Sequence, residues 1–320
     1  MKKVCAIIVT YNRRELLLRV IKSVLNQTYK LNAILVVDNA STDDTIAFLN
    51  VNGIIQAEEI RENQLSSMKN VEDVSILYYR STSNMGGAGG FHTGMREASA
   101  LEKFDYLWMM DDDGYPAEDC LAFQMEISDK NDYVMPTSID IDNHKQLSWA
   151  TKMKNGSKTF FYDDLVKSWG EVMAYVYPFN GSLLSKKIVE EVGFINKDLF
   201  IWGDEYHHYW RCKKKGYTPV TYLKAKFYHP ANKMNMVPML GGMLHVPYVD
   251  SPLKLICLIR NSTYIDWNYN HRLKIIPKFF IYTWFFIIKR RLDFRGYKLY
   301  LQSVKDGLSK NFTRHLKYLR

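Results

Sequence analysis

Tyr106-Leu107-Trp108-Met109-Met110-Asp111-Asp112-Asp113 is an apolar run of five residues that ends in three carboxylates. Its length and aromatic content fit a strand buried on both faces, as in a parallel sheet. Adjacent carboxylates repel one another, so the end of such a strand needs solvent or a cation beside it. In an extended backbone alternate side chains share a face, which predicts that Asp111 and Asp113 address one site while Asp112 points elsewhere. Hard oxygen ligands suit Mg2+ or Mn2+, held by one or two carboxylates together with phosphate oxygens. An acidic surface turn is the plainer alternative, and the strand context argues against it.

Upstream, short apolar runs alternate with helical patterns, the signature of βαβ units and a mainly parallel sheet. Val4–Val9 and Ala33–Val37 read as buried strands and Val74–Tyr79 as a third. Helices are predicted over Glu15–Leu25, from a Ser41 or Thr42 cap to about Leu49, and over Ala88–Leu101. Residues 51–70 read as a loop with a frayed helix. Downstream, Asp132–Pro136 reads as a strand and residues 140–176 as hairpins and loops. Ser185 caps a helix over Lys186–Val192 closed by Gly193, and a further helix covers about Asp204–Lys214. A strand near Pro219–Leu223 and a loop over Pro230–Pro247 follow.

In parallel α/β sheets ligands bind beyond the carboxyl ends of the strands. Thr10-Tyr11-Asn12-Arg13 follows the first strand, Asp38-Asn39-Ala40-Ser41 the second, and Asn84-Met85-Gly86-Gly87-Ala88-Gly89-Gly90-Phe91 the third. Asp38 suits a base or ribose edge and Tyr11 can stack on a ring, so these segments are candidates to hold a nucleotide. The glycine run lacks the Gly-Lys-Ser/Thr of a P-loop and the GxGxxG spacing of a dinucleotide site. Glycines before a helix still permit backbone amides to approach a phosphate, and a flexible turn is the alternative.

A second acidic stretch is Trp202-Gly203-Asp204-Glu205. Carboxylates in a first helical turn are favoured by the helix dipole alone. Phe200, Trp202 and Tyr206 around them can desolvate a carboxylate and raise its proton affinity toward general-base work. His207 and His208 diverge by about 100° on a helix and cannot chelate one ion well. His229, after a strand, is the better ligand candidate.

The chain has 320 residues, 47% hydrophobic and 24% charged, which excludes global disorder, collagen and a simple coiled coil. The net charge of +9 is localised: residues 271–320 hold 13 Lys and Arg against Asp293 and Asp306, and the rest has a slight acidic excess. A charged partner would therefore meet the tail. Cys5, Cys120, Cys212 and Cys257 lie far apart without metal-type spacing, which fits a reduced, cytosolic setting. The apolar run Val4–Val9 is too short for a signal peptide. Ile275–Ile288, broken by Pro277 and Lys278, falls short of the roughly 20 residues of a spanning helix. The aromatic residues between Leu273 and Leu292, flanked by Lys274, Lys278, Lys289, Arg290 and Arg291, fit a helix lying on anionic lipid, or alternatively an interface with the body or a second subunit.

Five segments stand in the order seen in family 2 glycosyltransferases of the GT-A fold: Val9-Thr10-Tyr11-Asn12-Arg13, Val37 to Thr42, Asn84 to Phe91, Asp111 to Asp113 and Trp202 to Glu205. The glycine-rich segment most resembles the galactofuranosyltransferase branch. The resemblance spans about residues 3–230. It implies an α/β, Rossmann-like GT-A domain over residues 1–250, with a nucleotide-binding half at 1–115 and an acceptor-binding half at 116–250. Residues 251–320 would form a helical, basic and aromatic extension that associates with membrane or oligomerises.

By that resemblance Thr10, Tyr11, Asn12, Arg13, Asp38, Asn84 and Asp112 hold the nucleotide, while Gly86, Gly87, Gly89 and Gly90 border the donor phosphates and sugar. Asp111, Asp113 and His229 ligate the divalent metal, Mn2+ or Mg2+. Glu205 is the expected base. It departs from the family's usual aspartate, which leaves the role open between Glu205 and Asp204. Trp202 would stack on the acceptor sugar. The implied enzyme is an inverting hexosyltransferase that moves galactofuranose from a UDP donor to a glycan or lipid-linked glycan in bacterial cell-surface polysaccharide synthesis. A dTDP-rhamnose-dependent rhamnosyltransferase and a non-catalytic, membrane-associated nucleotide-sugar-binding protein are the alternatives. Cytoplasmic location on the inner membrane face, possible homo-oligomerisation and no nucleic-acid partner complete the expectation.

Overall fold

In a computed structural model the chain is described over residues 1–68, 70–177, 180–231 and 236–319. It divides into two compact units: Met1–Lys197 with Arg211–Asn232, and Asp198–Trp210 with Lys233–Arg320.

The first unit is a sheet flanked by helices. In chain order its elements begin with β1 (Val4–Thr10), α1 (Arg14–Leu25), β2 (Ala33–Asp38), α2 (Thr45–Val51), β3 (Leu65–Ser67) and β4 (Ser75–Arg80). Next come α3 (Gly86–Ala100), β5 (Tyr106–Asp111), β6 (Tyr115–Pro116), α4 (Cys120–Ser128), β7 (Tyr133–Asp140), β8 (Gln146–Lys152) and β9 (Lys158–Phe161). Then follow α5 (Tyr162–Trp169), β10 (Val172–Met173), β11 (Ser182–Ser185), α6 (Lys186–Val192), α7 (Asp204–Lys214), which runs across the unit boundary, and β12 (Val220–His229).

The sheet path is β10-β12-β7-β11-β5-β1-β2-β4-β3. The strands β5, β1, β2 and β4 are mutually parallel, as predicted from their unbroken apolar runs. The residues of β1 and β2 are buried throughout, because helices cover both faces of a parallel sheet. Register places Val9 beside Asp111 and Thr10 beside Asp38, so the polar strand ends lie along one edge. β11 runs antiparallel to β5 and β7, and β12 runs parallel to β7. Trp108, fully buried, donates from Nε1 to Gly181 O at 3.1 Å and ties β5 to the turn before β11.

Several local expectations change. α2 begins at Thr45, not at a Ser41 or Thr42 cap, and the Ser41 hydroxyl instead accepts from the Asn12 amide at 3.0 Å. The 51–70 stretch contains β3, an edge strand. Between 140 and 176 lies the helix α5 as well as strands, and β12 extends six residues beyond its expected end.

The second unit holds the β13 (Met236–Met239) and β14 (Leu244–Pro247) hairpin, α8 (Pro252–Asn268), α9 (Ile275–Trp284), a π-type turn over Phe285–Lys289, and α10 (Phe294–Ser309). Residues 232–235 of the expected 230–247 loop lie outside the described residues. Leu255, Ile259, Tyr282, Phe285, Phe286 and Tyr300 form this unit's core. The aromatic block at 275–288 is thus split: Phe285 and Phe286 point inward, while Ile276, Phe280 and Ile288 are exposed. Among the described residues no helix is long and apolar enough to cross a membrane.

Candidate active site

The carboxyl ends of β1 and β5 are joined by their polar groups. Thr10 Oγ1 donates to Asp112 Oδ2 at 2.7 Å, and Arg13 Nη1 reaches Asp112 Oδ1 and Asp113 Oδ2, each at 3.0 Å. The Tyr11 amide also faces Asp112 Oδ2 at 3.3 Å, and its side chain is 41% exposed. β5 ends at Asp111, so strand alternation stops there. Asp112 and Asp113 both turn to Arg13, where alternation had predicted opposite faces. Burial raises the Asp112 pKa despite Thr10 and Arg13. Burial also opposes ionisation of Asp113, but His229 and Arg13 outweigh it and hold that pKa below the ordinary value. The Asp111 amide donates to Asn180 Oδ1.

Gly114 brings His229 to this turn. A Cβ at Gly114 would lie 2.5 Å from Phe227 and 2.7 Å from Tyr228 O, so only glycine lets the chain pass β12 so closely. β6 then pairs with Phe227 and Tyr228, and His229 Nε2 comes within 3.3 Å of Asp113 Oδ1. His229 Nδ1 lies 2.7 Å from the Pro230 carbonyl, an acceptor, so Nδ1 carries the proton. In the neutral ring Nε2 therefore presents a lone pair to a carboxylate oxygen, which requires a proton or a cation between them. An imidazole whose other nitrogen is held by a backbone carbonyl is the arrangement of a metal-ligating histidine. The donor set fits a divalent ion. Among the described residues no group of three His, Cys, Asp or Glu side chains is assembled for an ion, so the Asp113–His229 pair needs further oxygens, such as those of a diphosphate. Arg19, which the sequence did not single out, supports the turn from α1. Its Nη2 donates to Asp113 O at 3.2 Å and its guanidinium lies over the Tyr115 ring.

Asp38 is fully buried. Its Oδ1 accepts from the Ser41 amide at 2.8 Å, and its Oδ2 from Tyr78 Oη at 2.8 Å and from Arg80. It therefore organises the loop after β2. Asn12, at φ 55°, accepts from the Thr42 amide at 2.6 Å and fastens the loops after β1 and β2 together. Asn84 Oδ1 accepts from Asn39 Nδ2 at 3.1 Å and from the Gly86 amide at 2.8 Å. The glycine run lies inside α3 and not before it. A Cβ at Gly90 would meet Val9 at 2.4 Å, and one at Gly94 would meet Ile7 at 2.4 Å, so these glycines let α3 lie directly on β1. A Cβ at Gly89 would meet Met85 at 2.3 Å, whereas Gly87 has open space around it.

In the second unit, Phe200, Trp202 and Gly203 all adopt positive φ, at 68°, 62° and 86°. Such a backbone persists only when its surroundings fix it. Asn261 Nδ2 contacts the carbonyls of Leu199, Ile201 and Trp202 at 2.9, 2.9 and 2.8 Å, and Arg260 Nη2 donates to Leu199 O at 2.9 Å. Neither residue carries a local sequence signal, since each reads as one polar position on α8. Asp204 opens α7 and is buried. Burial pushes its carboxyl up to about 6, against the hydrogen bonds it receives from Glu205 and its own backbone. His207 and His208 are core residues.

A mainly parallel sheet flanked by helices, with polar loops and an acidic turn at its carboxyl edge, is the frame of a GT-A glycosyltransferase. Glycosyl transferase family 2 matches residues 5–240, and the chain belongs to that family and is a glycosyltransferase. The galactofuranosyltransferase GlfT1 of Mycolicibacterium smegmatis is 29% identical over 320 residues, covering 97% of this chain and 98% of the relative. The protein of the same name from Mycobacterium tuberculosis is 27% identical over 295 residues, covering 91% and 90%. Among solved structures, S. aureus TarS 1–349 aligns over 97% of this chain and 82% of its own at a TM-score of 0.54 and 13% identity. GalNAc-T7 with UDP, GalNAc and Mn2+ aligns over 83% of this chain and 50% of its own, with a TM-score of 0.53 at 13% identity. These two likenesses concern the fold.

Proposed function

We propose that the chain is an inverting, metal-dependent galactofuranosyltransferase that uses UDP-galactofuranose and adds the sugar to a hydroxyl of a glycan or lipid-linked glycan in bacterial cell-surface polysaccharide synthesis. The donor follows the two GlfT1 relatives, which match nearly the full length of both chains. The Asp113–His229 pair at the end of β5 is the observation that carries the reaction type.

On this reading residues 1–250 form the catalytic domain and 251–320 the extension. Thr10, Tyr11, Asn12, Arg13, Asp38, Asn84 and Asp112 shape the nucleotide site, mostly by fixing its loops. Arg13 acts in two ways: it neutralises Asp112 and Asp113 when the donor is absent, and it adds positive charge beside the diphosphate when the donor is bound. Gly87, with open space at its Cα, leaves room for the donor. Asp113 and His229, with Asp111 as a further candidate ligand beside them, would hold Mn2+ or Mg2+, whose contribution when bound is to neutralise charge on the departing diphosphate.

Asp204 or Glu205 takes the proton of the acceptor hydroxyl as that oxygen bonds to the anomeric carbon. The bond from that carbon to the diphosphate oxygen breaks, and its electron pair leaves with UDP. A single displacement inverts the centre and requires no enzyme nucleophile. Burial of Asp204 favours it as the base, because a carboxyl near 6 is a better proton acceptor than an ordinary aspartate yet ionised at neutral pH.

Nucleotide release from UDP-galactofuranose and from dTDP-rhamnose, measured with Mn2+ and a glycan acceptor, tests the reading. Release of UDP that stops on chelation is expected. Preference for dTDP-rhamnose would make the enzyme a rhamnosyltransferase. Nucleotide binding without turnover across a broad donor panel would make it a binding protein.

A further inference from the structure

We propose that the cavity beside the first turn of α7 is the subsite for one sugar ring of the acceptor, an assignment that rests on the glycosyltransferase reading above. The cavity encloses about 340 Å3 and lies wholly within the second unit. That volume suits a small ligand. Trp202 and Tyr206 supply apolar surface, and Ser262, Asp266, Asn270 and Lys278 supply polar groups.

A sugar ring has an apolar C–H face and an edge of hydroxyls, each of which both donates and accepts. The lining matches both aspects. Asp266 is 5% exposed, and its two oxygens are held separately: Oδ2 accepts from Lys278 Nζ at 2.5 Å and Oδ1 from Asn270 Nδ2 at 3.0 Å. Lys278 Nζ also donates to Ser262 Oγ at 2.6 Å. Each carboxylate oxygen keeps lone-pair capacity for a hydroxyl hydrogen, and the ammonium keeps a third hydrogen for a hydroxyl oxygen. Asp266 and Lys278 neutralise each other and Lys274 adds one further cation to the lining, so the case for a polyol rests on the hydrogen-bonding edge, where the Asp266 carboxylate accepts from hydroxyls.

The place of the cavity in the chain agrees. Trp202 and Gly203 precede Asp204 and Tyr206 follows it by two positions, so a ring resting on these aromatic groups lies along the helical turn that carries the proposed base. Asn261 fixes the Trp202 carbonyl from α8, the helix that also supplies Asp266. α8 therefore both fixes the Trp202 backbone and supplies Ser262 and Asp266 of the polar edge, to which α9 adds Lys278.

Binding of octyl hexopyranosides and octyl hexofuranosides below their micellar concentrations, followed by tryptophan fluorescence and calorimetry, tests this on the full chain. Wild type should bind at least one glycoside saturably, and Asp266→Asn and Lys278→Met should each weaken that binding tenfold or more while UDP affinity stays within twofold. Where a charge variant does not fold, Asn270→Ala at the cavity rim carries the test, with a loss of at least threefold. Glycoside affinity unchanged in the folded variants overturns the subsite, as does absence of saturable glycoside binding to wild type. So does inorganic pyrophosphate affinity that falls in Lys278→Met while glycoside affinity holds. Glycoside binding that is lost in the variants, with no sugar transfer by wild type, keeps the subsite and overturns the reaction. Transfer with an acceptor KM unmoved in the variants does the reverse.

Discussion

Asp204 occupies a position where two pH effects have opposite consequences. Its carboxyl is pushed up to about 6 by burial, above the ordinary aspartate value near 4. The folded protein therefore binds this proton more tightly than the unfolded chain, and the associated stability is present at pH 4 and lost as pH rises through 6. Activity runs the other way, since a base must be ionised, so kcat is expected to rise through the same range. Asp204→Asn should abolish turnover and flatten the melting-temperature decline between pH 4 and 7, with Glu205→Gln as the comparison. If Glu205→Gln stops turnover and Asp204→Asn does not, Glu205 is the base. Asn261 acts on the same stretch from behind. Asn261→Ala removes the partner of three carbonyls, should cost about 1–3 kcal/mol in urea unfolding, and should lower kcat with UDP affinity preserved. Asp113 and His229 were each legible as ligand candidates from their places after strands, but only the resemblance joined them at one metal, because their meeting depends on a glycine turn and a two-residue strand that no local pattern reveals. Arg19, Arg260 and Asn261 were not legible, because what they do is set by the carbonyls they meet in the fold.

At the scale of elements, the glycine-rich start of α3 combines two demands that the sequence alone did not separate. Gly90 is required by packing, since its Cβ would overlap Val9. Gly90→Ala should destabilise by about 1–3 kcal/mol in urea unfolding, the usual cost of overpacking. Gly87→Ala meets no such obstacle and should leave stability unchanged or slightly higher, so a drop in UDP-sugar affinity in that variant would place the donor against this turn. Unchanged donor affinity would restrict the run to packing. β1, β2, β4 and β5 were legible because strands buried on both faces must be apolar throughout. The helix α4, Cys-Leu-Ala-Phe-Gln-Met-Glu-Ile-Ser, was missed because it has little helical periodicity: Gln124 sits in the core, donating to Val134 O and Gly181 O at 2.8 Å each. β3 and β11 were missed because they are short and serine-containing, and are defined by their partners more than by their own pattern.

For the whole molecule, the tail both builds a core and offers a surface. Tyr282, Phe285, Phe286 and Tyr300 fill the second unit, so deleting residues 271–320 would expose that core and could not report on membranes alone. Point changes are the better probe. Ile276 and Phe280 are 56% and 66% exposed on α9, whose Lys278 faces the cavity, and exposed apolar groups amid basic residues are what an anionic lipid surface binds. We therefore expect binding to phosphatidylglycerol-containing vesicles that weakens with salt, and at least a tenfold loss in Ile276→Ser/Phe280→Ser with the melting temperature held. Equal vesicle binding by that variant would reject the membrane role. That Asp113 and an acid in the first turn of α7 are each required for sugar transfer is tested most directly by steady-state turnover of UDP-galactofuranose with a glycan acceptor under Mn2+ titration. We predict saturable Mn2+ activation in wild type and turnover at least about a thousandfold lower in Asp113→Ala and in one of Asp204→Asn or Glu205→Gln. Wild-type turnover in Asp113→Ala, or full activity in chelator, would contradict that requirement.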